Sequence, residues 1–254
     1  MTVVIGINCR DGIIIACDSQ VEFHRGAPVK RMNANKIYKL NGDIAIAGAG
    51  MVVFIEKAVN NLRRIIEKKE EVTHKKLSLE EIVDIAEGVM LDLHKVYDID
   101  RERYLRSDIK FKEGQEFVNV HIMMGGVDKE SAKNHLYSLY KDGIAEPVSD
   151  YATAGSGAPY AEYLLSKYYF PDITLNTGKK LGIYIIKETE KIDPNVGGSV
   201  NIVSIDKTGY HGMDEKEVIN IYEDIREKEE YINRLMINSI MGKLKIEDLR
   251  ELSD

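Results

Sequence analysis

Two β-branched runs open the chain, Thr2–Asn8 and Gly12–Cys17, and the Asp11-Gly12 pair between them is a strong signal for a tight hairpin turn. Lys36–Leu40 and Asp43–Ala47 read as a second antiparallel pair joined at Asn41-Gly42, with the polar stretch Glu22–Asn35 between the hairpins expected to be loop. After Gly48-Ala49-Gly50 the period becomes helical: Phe54, Ile55, Ala58, Val59, Leu62, Ile65 and Ile66 share one face. A second helix is expected to start at Ser78, where Glu81 completes a capping box, and to carry its apolar face on Ile82, Ile85, Val89, Leu93 and Val96. Asp98–Glu116 is charged and aperiodic and reads as a surface excursion. Strands follow at Phe117–Met124 and His135–Tyr140, then helices near Pro159–Tyr168 and Thr177–Thr189, then a strand at Ser199–Ile205. Strands and helices thus come in groups, which predicts an α+β fold with antiparallel sheets between helix layers, not an alternating parallel β/α array.

From Asp214 onward the chain is charged and helical, with Val218, Ile221, Ile225, Ile232, Leu235, Met236 and Ile240 spaced for a buried stripe. The expected organisation is a main domain over residues 2–212 and a helical C-terminal extension over residues 213–254. A net charge of −7 argues against nucleic acid and anionic membranes as partners. No apolar run approaches the roughly 20 residues of a membrane helix, and the opening residues do not form a secretory signal. Cys9 and Cys17 lie in apolar strands without metal-type spacing and read as reduced core thiols, so a cytoplasmic location is expected. The histidines His24, His74, His94, His121, His135 and His211 are scattered, so neither a metal site nor a cofactor is expected.

The opening T-V-V-I-G-I-x-C-x-D-G-I-I-I-A-C-D-S resembles the first two strands of proteasome β-subunits and their bacterial relatives. N-K-I-Y-K-L around Lys36, I-A-G at Ile46–Gly48, M-G-G-V-D at Met124–Asp128, A-G-S-G-A-P at Ala154–Pro159 and D-P-N-V-G-G at Asp193–Gly198 follow in that family's order. The resemblance spans roughly residues 2–212. It implies a four-layer αββα sandwich of the N-terminal-nucleophile (Ntn) hydrolase type and a threonine peptidase whose nucleophile is Thr2, freed by removal of Met1. It further implies that Asp18 and Lys36 flank the threonine, that the Gly48 amide forms an oxyanion hole at a turn, and that Ser156 and Asp193 hold the threonine in place. Val21, Ala34, Ile46 and Gly50 would line the pocket for an apolar substrate residue. The chain departs from the pattern at Val196, where many β-subunits carry serine, and in a stretch before Lys36 about two residues longer than usual. The implied partners are a peptide or unfolded-protein substrate, further copies in a homo-oligomeric ring or stacked assembly, and an ATP-dependent unfoldase.

The chemistry needs these residue types. A threonine hydroxyl is a weak nucleophile at neutral pH, and a free α-amino group with a pKa near about 7.7 can serve as its base. A buried lysine stabilises the developing alkoxide, and an adjacent carboxylate keeps that lysine charged and oriented. A glycine amide admits the oxyanion closely. Two other outcomes are compatible with the same residues. In one, the acyl-ester passes to a peptide amine instead of water, as in the connectase relatives of proteasome subunits. In the other, the fold is kept as a non-catalytic assembly or scaffold protein.

Overall fold

The computed structural model describes residues 2–23, 30–40, 43–96, 120–128, 131 and 133–243. The Asn41-Gly42 turn, His24, the Asp98–Glu116 excursion, Phe117–Asn119 and residues 244–254 lie outside the described residues. Met1–Met213 form one compact unit and Asp214–Asp254 a second.

In the first unit, β1 (Val3–Cys9) and β2 (Gly12–Asp18) pair as the expected hairpin, with Cys9 opposite Gly12. Both strands are buried almost throughout, which explains why they read as continuous apolar runs without alternation. Glu22–Asn35 is not all loop. Gln20–Phe23 (β3) and Lys30–Asn33 (β4) form a two-stranded ribbon of their own. Its pairing rests on backbone hydrogen bonds, so a polar sequence carries little trace of it.

The second predicted hairpin is present as β5 (Ile37–Lys39) and β6 (Ile44–Gly50). β6 reads I-A-I-A-G-A-G, and this alternation does structural work on two sides. Ile44 and Ile46 pack under helices with Phe54, Leu62, Ile82 and Met90, whereas Ala45, Ala47 and Ala49 face the other sheet with Val4, Ile13 and Ile15. Small residues on the inner face let the sheets close on each other.

Helix α1 (Val52–Thr73) buries Phe54, Ile55, Ala58, Val59, Leu62 and Ile66. Helix α2 (Leu79–His94) has the predicted capping box, with Glu81 N donating to Ser78 Oγ at 3.2 Å and Ser78 N donating to the Glu81 carboxylate at 2.8 Å. Val96, placed by spacing on the α2 face, is exposed, because it lies beyond the end of that helix. The chain continues through β7 (Val120–Val127), β8 (Asn134–Leu139), β9 (Ala145–Val148) and β10 (Tyr151–Gly155). Helices α3 (Ala158–Tyr168) and α4 (Leu175–Ile192) precede β11 (Val200–Asp206) and β12 (Gly209–Gly212). The short strands β9, β10 and β12 lie outside the strands expected from sequence; β9 carries Pro147 and is an edge strand, where proline is tolerated.

Two five-stranded antiparallel sheets result, in the orders β10-β1-β2-β11-β12 and β5-β6-β7-β8-β9. Helices α3 and α4 cover the first sheet, α1 and α2 cover the second, and the bare faces of the sheets pack together. The architecture is the α+β four-layer αββα sandwich.

The second unit is helix α5 (Glu215–Ile240), capped by Asp214, whose side chain accepts from Glu217 N at 2.9 Å. Its apolar stripe is largely exposed in the single chain. Val218 is its one buried residue among those described, while Ile232, Met236 and Ile240 are exposed, the last at 80%. Helical spacing places residues on a common face; it does not supply anything to cover that face.

Candidate active site

Thr2 immediately precedes β1, Asp18 is the last residue of β2, and Lys36 stands one residue before β5. Pairing of β1 with β2 carries the 16-residue separation of Thr2 and Asp18 back to a single end of the sheet. The Thr2 hydroxyl donates to Asp18 Oδ1. Lys36 Nζ lies 2.5 Å from Thr2 Oγ1 and 2.8 Å from Asp18 Oδ1. All three residues are buried, at 3%, 1% and 7% exposure respectively.

Asp18 is the hub. Its Oδ1 accepts from Thr2 Oγ1, Val3 N and Lys36 Nζ, and its Oδ2 accepts from Gln20 N and Gly197 N. An ionised carboxylate only accepts, so this donor set fits the charged form and offsets much of the cost of burying it next to the lysine ammonium. The neighbouring Cys17 is no competitor for reactivity, because burial pushes its thiol up to about 12.

The turn after β10 holds the threonine backbone. Gly157 N and Ser156 Oγ both donate to the Thr2 carbonyl, at 3.2 Å and 3.4 Å. Gly155 has φ +97, and a Cβ there would lie 2.1 Å from the Thr2 carbonyl oxygen, so A-G-S-G requires glycine at this point. Ser156 therefore grips the backbone carbonyl, not the hydroxyl.

Asp193 caps the end of α4, is 5% exposed, and sits against Ser156. Burial tends to raise its pKa, but the two hydrogen bonds from Asn195, with the Ser156 side chain close by, outweigh that and hold the carboxyl below its ordinary value. Asn195 N and Nδ2 both donate to Asp193 Oδ1, at 2.9 Å and 2.7 Å. Asp193 Oδ2 is buried with no hydrogen-bond partner among the described residues.

Gly48 is not in a turn. It lies within β6, across from Ile122 on β7, and the β5–β6 register carried back by one residue from Ile37↔Ala47 brings Lys36 alongside it. A Cβ at Gly48 would come within 2.5 Å of Ile55, so the packing of α1 against β6 also demands glycine. A glycine-rich sequence looks like a turn, but here the missing side chain admits a helix.

The sequence matches the family described as proteasome subunit over residues 2–97 and 102–205. The chain belongs to the proteasome subunit family. Among its relatives, proteasome subunit beta 1 of Thermococcus sibiricus is 28% identical over 220 residues, covering 85% of this chain and 92% of that protein. Proteasome subunit beta 2 of Pyrobaculum arsenaticum is 27% identical over 206 residues, covering 81% and 89%. The proteasome subunit beta of Archaeoglobus profundus is 25% identical over 228 residues, covering 89% and 94%. Fold and relatives together make the chain a proteasome β-like member of the Ntn hydrolases.

Of the residues that the family pattern assigns to substrate, Val21 is buried on β3 and Ala34 is half-buried, its N–H donating to Ser19 O at 2.8 Å. Ile46 is fully buried beneath α1 and α2, and Gly50 ends β6. Val196, where the family pattern has serine, is buried against Gly157 and contributes no hydroxyl. Asn195, Gly157 and Gln20 were not singled out from sequence. The turn signature Asp193-Pro194-Asn195 could have pointed to Asn195, whereas the other two act through backbone N–H groups that no side-chain pattern reveals. Among the described residues no group of acidic, cysteine or histidine side chains could hold a metal ion, and no helix is long and apolar enough to cross a membrane.

Proposed function

We propose that this chain is a threonine peptidase in which Thr2, once Met1 has been removed, attacks peptide carbonyls and forms an acyl-ester intermediate. The observation that carries this reading is the position of the Thr2 hydroxyl between Lys36 Nζ and Asp18 Oδ1 in a buried site. As Thr2 Oγ1 attacks, its proton passes to the α-amine of the same residue, and Lys36 stabilises the charge developing on the oxygen. Asp18 holds Lys36 in place through their ion pair at 2.8 Å. The Gly48 N–H stabilises the tetrahedral oxyanion; donors of this type are worth about 3–4 kcal/mol of barrier. The amine then gives its proton to the departing peptide nitrogen, and afterwards takes a proton from the water that hydrolyses the ester. Ser156 and Asp193 fix the backbone and the amine, while Val21, Ala34 and Gly50 border an apolar pocket; Ile46, sealed beneath α1 and α2, supports β6 from the core and does not meet substrate.

Residues 2–212 carry this activity, and residues 213–254 form an extension to it. In this reading the chain works in a ring or stacked assembly of copies in the cytoplasm, on unfolded chains delivered by an ATP-dependent unfoldase; the relatives named proteasome subunit beta support the assembly. A β-lactone tests the central claim. Thr2 opens the lactone ring, so intact mass rises by the whole mass of the reagent in the Met1-less protein and does not rise in Thr2→Ala. Absence of the adduct in Met1-less wild type would remove the nucleophile from the proposal and leave a scaffold role. With an accepted adduct, adding a peptide amine to a peptide substrate distinguishes hydrolysis from acyl transfer by product mass.

A further inference from the structure

We propose that Asn195 is a positioning residue for Thr2, replacing from one residue earlier the hydrogen-bonding side chain lost at Val196: it occupies Asp193 Oδ1 and thereby presents Oδ2 to the α-amine of Thr2. The inference rests on the threonine-nucleophile reading above and adds to it how the amine is oriented in this chain.

Both donors of Asn195, its backbone N–H and its side-chain Nδ2, converge on the same oxygen of Asp193. Two donors on one oxygen fix the plane of the carboxylate, and so the direction in which the second oxygen faces. Pro194 between them restrains the turn, since its ring locks φ. The second oxygen is buried and unpartnered among the described residues, on a residue that is 5% exposed. A buried carboxylate oxygen without a donor is costly, so the arrangement calls for a donor, and a cationic one fits best. Ser156, which touches Asp193, directs its hydroxyl to the Thr2 carbonyl, so one side chain lies against both the threonine backbone and Asp193. Val196 has no side-chain donor and packs against Gly157, and its backbone N–H is committed to Asp193 O at 3.0 Å.

The charged groups around the amine are Asp18 from β2, Lys36 before β5 and Asp193 after α4, with the Lys187–Glu190 pair of α4 beside the Gly197-Gly198 turn. Of these, only the contact with Asp193 is altered by changing Asn195. An aligned carboxylate favours the protonated amine, whereas the amine must be neutral to act as base.

The test uses the full chain with Met1 loss verified by intact mass, and measures the second-order rate of β-lactone labelling against pH for wild type, Asn195→Ala and Asn195→Ser. In this step the Thr2 Oγ–carbonyl bond forms, the ring C–O bond breaks, and the ring oxygen leaves with the proton from Thr2. Asn195→Ala is expected to lower the plateau about tenfold through misorientation, and to move the acid limb to lower pH. Asn195→Ser, which keeps a donor, is expected to recover part of both. A merely structural role would lower the amplitude of labelling with the folded fraction and leave the acid limb where it is, and that result overturns the proposal. So does an Asn195→Ala profile identical to wild type. If Met1-less wild type itself fails to label, the parent reading falls and this inference with it; if wild type labels and Thr2→Ala does not, an unmoved Asn195→Ala limb sinks this inference alone.

Discussion

The buried cluster at Thr2 and the exposed stripe of α5 are opposite cases of one relation between pattern and environment. Thr2, Asp18 and Lys36, separated by as many as 34 positions, are brought within hydrogen-bond distance and almost sealed from solvent. Along α5, apolar residues at regular helical spacing remain in contact with water, with Ile232 at 57% and Ile240 at 80% exposure. Hydropathy alone would have assigned the two regions the other way round. Burial follows from what the fold brings alongside a residue, and a polar residue tolerates it only where partners are complete.

The contrast is broken most directly at its polar end. Thr2→Ala should reduce β-lactone labelling by more than about a thousandfold, as expected when a nucleophile is removed, while the fold stays intact because Lys36 and Asp18 remain paired. Labelling that survives the substitution would place the reactive group elsewhere. Next in size, Asp18→Ala should cost about 3–5 kcal/mol in urea unfolding, since it leaves a buried ammonium uncompensated. Lys36→Met should cost less, because Asp18 keeps its donors from Thr2, Val3, Gln20 and Gly197. The reverse order of the two would mean that the ion pair, and not the carboxylate hub, holds the cluster together.

Gly48→Ala sharpens the comparison by separating packing from chemistry at one atom. The added methyl would press on Ile55, and overpacking of this kind costs about 1–3 kcal/mol. Combining it with Ile55→Ala, which removes the Cγ2 methyl that the new Cβ would strike, should recover part of the thermal stability. Activity that stays low in the double variant means that the methyl itself hinders the site around Gly48, whereas activity that returns with stability assigns the glycine to packing alone. The smallest effect belongs to α5: Ile240→Glu should change the unfolding free energy of the dilute chain by no more than about 0.5 kcal/mol, because the site is exposed. A larger loss, or a fall in solution mass on gel filtration, would show that another copy covers the stripe.

Much of the fold could be read from residues alone where local chemistry and global packing agree. Asp11-Gly12 sets the first hairpin, Ser78 and Glu81 set the start of α2, and Phe54 through Ile66 identify the face of α1 that is buried. The ribbon β3–β4 and the edge strands β9 and β12 left little trace, because their pairing draws on backbone groups that every residue carries. In the site, Thr2, Asp18 and Lys36 could be named as candidates only through resemblance, since a Thr, an Asp and a Lys at strand ends have ordinary explanations singly. The grip of Gly157 N on the Thr2 carbonyl had no counterpart in the sequence pattern, and the two donors of Asn195 on Asp193 had only the turn signature Asp193-Pro194-Asn195.

What the sequence determined by itself is the set of elements and the residue types available at their ends: turn pairs, caps and periodicity act over a few residues and need no distant partner. What the tertiary structure alone decided is which of those ends meet. Packing of two antiparallel sheets brings the start of β1, the end of β2, the entry to β5 and the turns after β10 and α4 to one point. There, mutual hydrogen bonding makes buried charge tolerable, whereas on α5 regular apolar spacing leaves Ile232 and Ile240 exposed, because spacing sets a common face and not its burial.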